Sequence, residues 1–233
     1  MLDQQTLDKT DGETSHKKTI RVWDLPTRVF HWTLLVLVTV AWVSSEADGV
    51  LFNIHVVTGI AVLAMVAFRL VWGVIGSRHA LFINFVTSWQ KGRDYGEALL
   101  AFKPPYHVGH NPLGGWMIIA LLATLAFTAF NGLFITEDGF SGPLSGAVSP
   151  EISHAMGELH EGVAGFLGFL VGFHVFGVIV HGLMTRENLP RAMWIGDKVV
   201  PEGINATSIA KVSWWRVVVA VALSIAAVWS LFP

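Results

Sequence analysis

The chain carries ten histidines in 233 residues and no cysteine. Without thiolates, disulfides, iron–sulfur clusters, thiolate metal sites and thioether-linked haem are excluded, and neutral imidazole remains a ligand suited to iron, zinc and copper. Four histidines stand out by spacing. His160 and His174 share one apolar run. As helix residues they lie within about 40° of each other around the axis and about 21 Å apart along it. Two imidazoles on one face at opposite depths cannot share an ion, but each can serve its own centre with a partner from another segment. His55 and His31 lie at the matching depths, which pairs His55 with His160 and His31 with His174. His181, on nearly the same face as His174, leaves His31–His181 open as an inner pair.

Each proposed site offers two imidazoles and no neighbouring carboxylate or thiolate. Tetrahedral zinc takes four ligands, commonly three from the protein in catalytic sites. Two axial imidazoles suit an iron whose other ligands come from a porphyrin. The expected cofactors are therefore two haem b groups. Gly59, Gly162, Gly165, Gly168, Gly172 and Gly177 leave room for a flat macrocycle, or else for close helix packing. Buried, hydrogen-bonded imidazoles without a cofactor are the plainer alternative.

The elements that must position these residues are membrane helices. Hydrophobic residues make up 53% of the chain and charged residues 14%, against about 25% charged in soluble domains. The net charge of −2 gives no reason to expect a nucleic-acid partner. Five windows lack Asp, Glu, Lys and Arg: Val29–Ser45, Gly49–Phe68 (running past Arg69 to about Ile75), a stretch within Pro104–Thr136, Gly162–Thr185 with a helix starting near His154, and Val217–Pro233. Each is read as a spanning helix of about 20 residues. Asn111 and Pro112 read as the cap and first residue of the third. The fold class is all-α, an integral membrane helical bundle with a four-helix di-haem core plus a fifth C-terminal transmembrane helix. Residues 1–20 form a cytoplasmic N-terminal tail, 21–198 the haem-bearing unit, and 199–233 a linker and the last helix. Met1–Lys18 is polar and lacks the pattern of a cleavable signal peptide.

All fifteen Lys and Arg residues fall into three groups of five: before the first span, between the end of the second and the third, and between the fourth and fifth. The remaining loops carry Glu46, Asp48, Glu137, Asp138, Glu151, Glu158 and Glu161. The positive-inside rule places the N-terminus in the cytoplasm and the C-terminus outside. Trp23, Trp32, Trp42, Trp72, Trp89, Trp116, Trp194, Trp214 and Trp215 fall largely near helix ends and read as an interfacial belt.

Several segments carry a resemblance. Val22–Trp32 reads VWDLPTRVFHW, His55–Gly73 reads HVVTGIAVLAMVAFRLVWG, Gly109–Gly115 reads GHNPLGG, and Arg186–Gly196 reads RENLPRAMWIG after the His160–His174 spacing. Together they resemble bacterial di-haem b-type cytochromes, the cytochrome b561 group that includes the cytochrome b subunits of nickel–iron hydrogenases. The likeness spans roughly residues 20–198. It implies that His31, His55, His160 and His174 ligate the irons, with His174 rather than His181 at the inner site. It also implies residence in the bacterial cytoplasmic membrane. The fifth span departs from the four-helix pattern of the group.

Charged and polar residues near these sites have two readings each. Arg69 is either a snorkelling side chain or a guanidinium fork for a haem propionate, and the resemblance favours the propionate. Arg28, one turn before His31, serves the inner haem in the same way or only sets topology. His107 and His110 line a quinone site, bond a propionate, or are ordinary interfacial histidines. Arg28, Arg69 and His110 are taken as cofactor-binding. The resulting function is electron transfer across the membrane between the quinone pool and a redox partner, a soluble c-type cytochrome or a hydrogenase-like catalytic subunit. Three rivals are a quinone-linked oxidoreductase acting on superoxide, a haem-free proton channel or transporter with a histidine relay, and a membrane anchor for a catalytic subunit.

Overall fold

A computed structural model describes residues 18–46, 49–137 and 139–232. Lys9, His16 and Lys17 of the expected tail, and Asp48 and Asp138 of the outer loops, lie outside the described residues. In chain order the elements are β1 (Lys18–Arg21), α1 (Leu25–Val43), α2 (Val50–Ile75), α3 (Phe82–Phe85), α4 (Trp89–Leu100), α5 (Pro112–Asn131), β2 (Thr136–Glu137), β3 (Phe140–Ser141), α6 (Pro150–Thr185), α7 (Leu189–Ile195), β4 (Asp197–Val200) and α8 (Trp214–Trp229). Among the described residues four helices, Leu25–Val43, Leu51–Ile75, Pro112–Phe134 and Pro150–Thr185, are long and apolar enough to cross a membrane. The expected fifth, α8, is an apolar helix of 16 residues.

One starting device recurs in four helices. A short polar residue accepts a backbone N–H from the first turn, and a proline occupies one of the first two helical positions. Asp24, Asn111, Ser149 and Asn188 do this for α1, α5, α6 and α7. Proline has no N–H to leave unpaired there, and its fixed φ suits the first turn. The same device lengthens the fourth span beyond its apolar window. Ser149–Pro150 starts α6 one turn before His154, so Glu151, Glu158 and Glu161 are helical rather than loop residues.

The helices pack as α1 on α2, α2 on α5 and α8, and α5 on α6. Phe30, Phe68, Trp72, Leu122 and Ala220 form one buried cluster, and Val62, Val66, Leu125 and Leu167 another. Much of the remaining apolar surface faces outward, including Phe166, Phe169, Phe173 and Phe176 along α6. That is the pattern of a lipid-facing helix. Two tryptophans do not fit the interfacial belt. Trp72 is fully buried, with its indole N–H 3.4 Å from Asp24 Oδ2 and 3.3 Å from Thr27 Oγ1. Trp23 is buried against Ile20, Val22 and Val200.

Among the described residues two small antiparallel ladders interrupt the all-α architecture, β2 with β3 between α5 and α6 and β1 with β4 across the N-terminal end of α1 and the C-terminal end of α7. The β1–β4 ladder pairs Ile20 with Lys198 and joins segments on either side of the helical bundle in sequence. Gly196 closes α7 at φ +92°, and its carbonyl accepts from the Val22 and Trp23 N–H groups at 2.9 and 3.0 Å. A β-carbon there would lie 2.8 Å from the Trp23 carbonyl oxygen, so both the φ and the close approach require glycine.

A buried charge fixes this cap to the end of α6. Lys198 Nζ, its side chain 5% exposed, lies 3.0 Å from Glu187 Oε2 and donates to the His107 carbonyl at 3.1 Å. Desolvation alone would raise the Glu187 carboxyl, but His181 and Lys198 outweigh it and hold the carboxyl below its usual range. The stabilisation is therefore complete above the unfolded value of about 4.3 and is lost as the pH falls through the lower folded value. Glu187→Gln leaves a buried ammonium without its counter-ion and is expected to cost roughly 2–4 kcal/mol. Hydrogen exchange of the β1–β4 amides measures this: faster exchange in the variant at neutral pH, and in the native chain only in acid.

Candidate functional site

The outer pair is brought together. His55 of α2 and His160 of α6 have ring centres 5.9 Å apart, with planes inclined by 74°. Each ring is held by a backbone carbonyl of a third or fourth helix. His55 Nδ1 lies 2.8 Å from the Ala41 oxygen of α1, and His160 Nδ1 lies 2.9 Å from the Thr128 oxygen of α5. A carbonyl only accepts, so both Nδ1 atoms carry the proton and both Nε2 atoms keep their lone pairs. This is the arrangement metal-ligating histidines use, with the second nitrogen fixing tautomer and orientation. Phe52 stacks on His55 at 5.7 Å. Gly132 leaves space beside His160, where a β-carbon would lie 3.3 Å from Cε1. The helices themselves stay apart. α6 makes its close packing with α5, and the side chains of α2 and α6 meet at the histidines.

Two imidazoles on one metal, at about 2.0–2.1 Å per bond, have ring centres roughly 6 Å apart. The observed separation fits. Among the described residues no group of three or more His, Cys, Asp or Glu side chains converges as a bare metal site. The donor set therefore suits a metal that brings its equatorial ligands with it.

On the inner half, four of the expected residues carry a buried polar atom without a hydrogen-bond partner: Arg28 Nε, His31 Nδ1, Arg69 Nη1 and His110 Nδ1. His31 of α1 lies within electrostatic reach of His174 of α6. Arg69 is 3% exposed, so it does not snorkel; its guanidinium lies 4.8 Å over Phe82 and 5.7 Å over Phe85. Arg28 spends one nitrogen on the Trp194 carbonyl at 2.5 Å. His110 lies between Trp23 and Phe85, at 4.6 and 4.7 Å. Burial, then Arg69 and the other cations around it, push His110 down to about 3, so it is neutral at physiological pH. His107 is turned to the Pro105 carbonyl at 2.9 Å.

His181 is otherwise engaged. Its Nδ1 lies 3.1 Å from the Tyr95 hydroxyl and its Nε2 3.8 Å from Glu187. Burial and Glu187 push the Tyr95 phenol up to about 12, so it stays a donor to Nδ1, and Nε2–H faces the carboxylate. Both ring nitrogens have partners outside the bundle core.

The glycines divide differently from the sequence expectation. A β-carbon at Gly59, Gly162, Gly165, Gly172 or Gly177 would meet nothing within 4 Å, so close helix packing does not explain them. At about 100° per residue Gly59 lies within about 40° of His55 on α2, whereas on α6 Gly162, Gly165 and Gly172 lie on the side away from His160 and His174 and Gly177 lies about 60° from His174. Gly168 is the packing glycine, covered by the Trp42 indole of α1.

Thr128 and Asn131, absent from the sequence reading, add an unpaired hydroxyl and an unpaired amide nitrogen on the α5 turn that holds His160. Both are buried, at 9% and 4% exposure. An Asn within an apolar window is the signal that would have found the second.

Comparison with curated proteins and with solved structures gives no match. The family model for prokaryotic cytochrome b561 matches residues 22–196, about three quarters of the chain, and leaves α8 outside. With four membrane-capable helices and this match, the chain belongs to the prokaryotic cytochrome b561 family, as an integral membrane b-type cytochrome that binds haem and serves electron transfer.

Proposed function

We propose that the chain carries electrons across the bacterial cytoplasmic membrane through two b haems. His55 and His160 ligate the outer one, and His31 and His174 the inner one. The observation that carries this reading is the outer pair, two imidazoles with ring centres 5.9 Å apart, each with its Nδ1 on a backbone carbonyl and its Nε2 left as the ligating atom. When bound, a bis-imidazole haem supplies a one-electron couple with no open coordination position. The protein's part is to hold the imidazoles rigid, so that little reorganises when charge arrives. His160 and His174 set the two sites about 21 Å apart along α6. Arg69, buried with a free Nη1, is placed to pair with a propionate, and Arg28 is placed to do so from α1.

The basic loops lie in the cytoplasm, with the N-terminus inside and the C-terminus outside, and α8 crosses as a fifth span against α2. Residues 21–198 are the haem-bearing unit. Neutral His110 and the adjoining cavity of about 240 Å³, which His79 and His107 also line, are the cytoplasmic place for a quinone head group or a propionate. The acidic groups on the outer side, including exposed Glu151, Glu158 and Glu161 in the first turns of α6, suit a basic redox partner such as a soluble c-type cytochrome. A catalytic subunit is the other partner class.

The inner ligand is tested by paired substitution. His174→Ala is expected to remove one haem and keep the other, and His181→Asn to keep both, by haem quantitation of the purified protein. Loss of a haem in His181→Asn with none lost in His174→Ala would exchange the two residues.

A further inference from the structure

Topology alone explains basic residues on one side of a membrane protein, but it does not make them converge. Arg78 just after α2, and Lys211 and Arg216 at the start of α8, are far apart in sequence and line one open cleft of about 300 Å³. Leu81 and Asn84 complete its far wall. All three basic residues are exposed, and among the described residues none forms an ion pair with a carboxylate. Arg216 keeps one nitrogen 3.5 Å from the Ile75 carbonyl at the end of α2 and lies 5.6 Å from the Trp215 ring. The cleft therefore sits where the end of α2 meets the beginning of α8, at the level marked by exposed Trp214 and Trp215. Towards the bundle the same two helices turn apolar side chains outward: Val74 is 72% exposed on α2 and Val218 65% on α8.

We propose that this cleft binds the headgroup phosphate of an anionic diacyl phospholipid. Two guanidinium forks and an ammonium match phosphate oxygens. Interfacial tryptophans set the headgroup depth. The exposed aliphatic surface below takes the acyl chains, which a free phosphate would leave uncovered. Basic pockets between membrane helices on the cytoplasmic side bind anionic headgroups in this way. The lipid would add to the packing of α8 on α2, where Val212 and Val217 already join the cluster of Trp72 and Ile75. This assignment does not depend on the haems.

The test is lipid binding by the full-length chain in mild detergent, read by native mass spectrometry with phosphatidylglycerol, phosphatidylcholine or inorganic phosphate. Phosphatidylglycerol is expected to bind the native chain more tightly than phosphatidylcholine. Arg78→Gln, Lys211→Gln and Arg216→Gln should each weaken it about fivefold, and the triple variant about a hundredfold. Lys91→Gln with Lys103→Gln, which removes two exposed cations elsewhere on the same side, should leave it within about twofold. Excess inorganic phosphate should not displace the lipid. Equal binding by native and triple-variant chains, an equal loss in the Lys91/Lys103 control, or full displacement by phosphate would each overturn the proposal. The single variants decide the matter if the triple variant fails to fold, which tryptophan-fluorescence melting reports.

Discussion

His160→Ala is expected to lower the haem content of the purified chain from two per polypeptide to one and to abolish electron transfer across the membrane. The substitution removes one of two imidazoles whose ring centres lie 5.9 Å apart, and among the described residues no third His, Cys, Asp or Glu side chain joins the pair to replace it. It also leaves the Thr128 carbonyl without its 2.9 Å hydrogen bond, beside the unpaired Thr128 hydroxyl and Asn131 amide. The inner haem should survive, because His31 and His174 lie about 21 Å away along the bundle. His55→Ala should give the same result from the other side. Reduced-minus-oxidised spectra with haem quantitation check this. Retention of both haems in either variant would break the assigned pairing.

Arg69→Leu is expected to lower the midpoint potential of one haem by roughly 50–100 mV and to leave the other unchanged. A unit charge near a redox centre at an effective dielectric of about 20 is worth roughly 1–2 kcal/mol. Its loss favours the oxidised, more positive state. The side chain is 3% exposed with a free Nη1, and the one carboxylate within electrostatic reach, Asp24, spends its oxygens on Thr27, Trp72 and Ser77, so a second anion would offset the cost of burying the guanidinium. Arg69→Lys should recover part of the shift, since it restores the charge without the planar fork. Potentiometric titration separates the two centres. Two unshifted potentials in Arg69→Leu would return Arg69 to a structural role packed on Phe82 and Phe85.

The four long helices were legible because membrane spans announce themselves by length and missing charge, and Asn111–Pro112 marked the start of α5 one side chain at a time. The start of α6 was less visible. Its first turns carry glutamates, so its apolar window begins well after the Ser149–Pro150 cap that starts the helix. The β1–β4 ladder left no local mark. KTIR and DKVV are four-residue strands that find each other only through the folded bundle. Trp72 and Trp23 looked interfacial by position but are buried, because Asp24 and the cap draw them inward.

In the candidate site, depth and helical period were enough to bring His55 opposite His160. The groups that orient those rings were out of reach, since a backbone carbonyl such as that of Ala41 or Thr128 has no residue-type signature. The choice between His174 and His181 rested on resemblance at the sequence level. The structure adds a physical reason for it: Tyr95, distant in sequence, and Glu187 occupy both nitrogens of His181. Among Gly59, Gly162, Gly165, Gly168, Gly172 and Gly177 only Gly168 is covered by a neighbouring helix, through Trp42; the others face open space, which composition alone did not distinguish.

The most direct test of the whole account is the amount and type of haem in the purified polypeptide. Two protohaems per chain, with b-type bands that sharpen on reduction, are the expected result. A colourless preparation, or a single haem per fully folded chain, would contradict it.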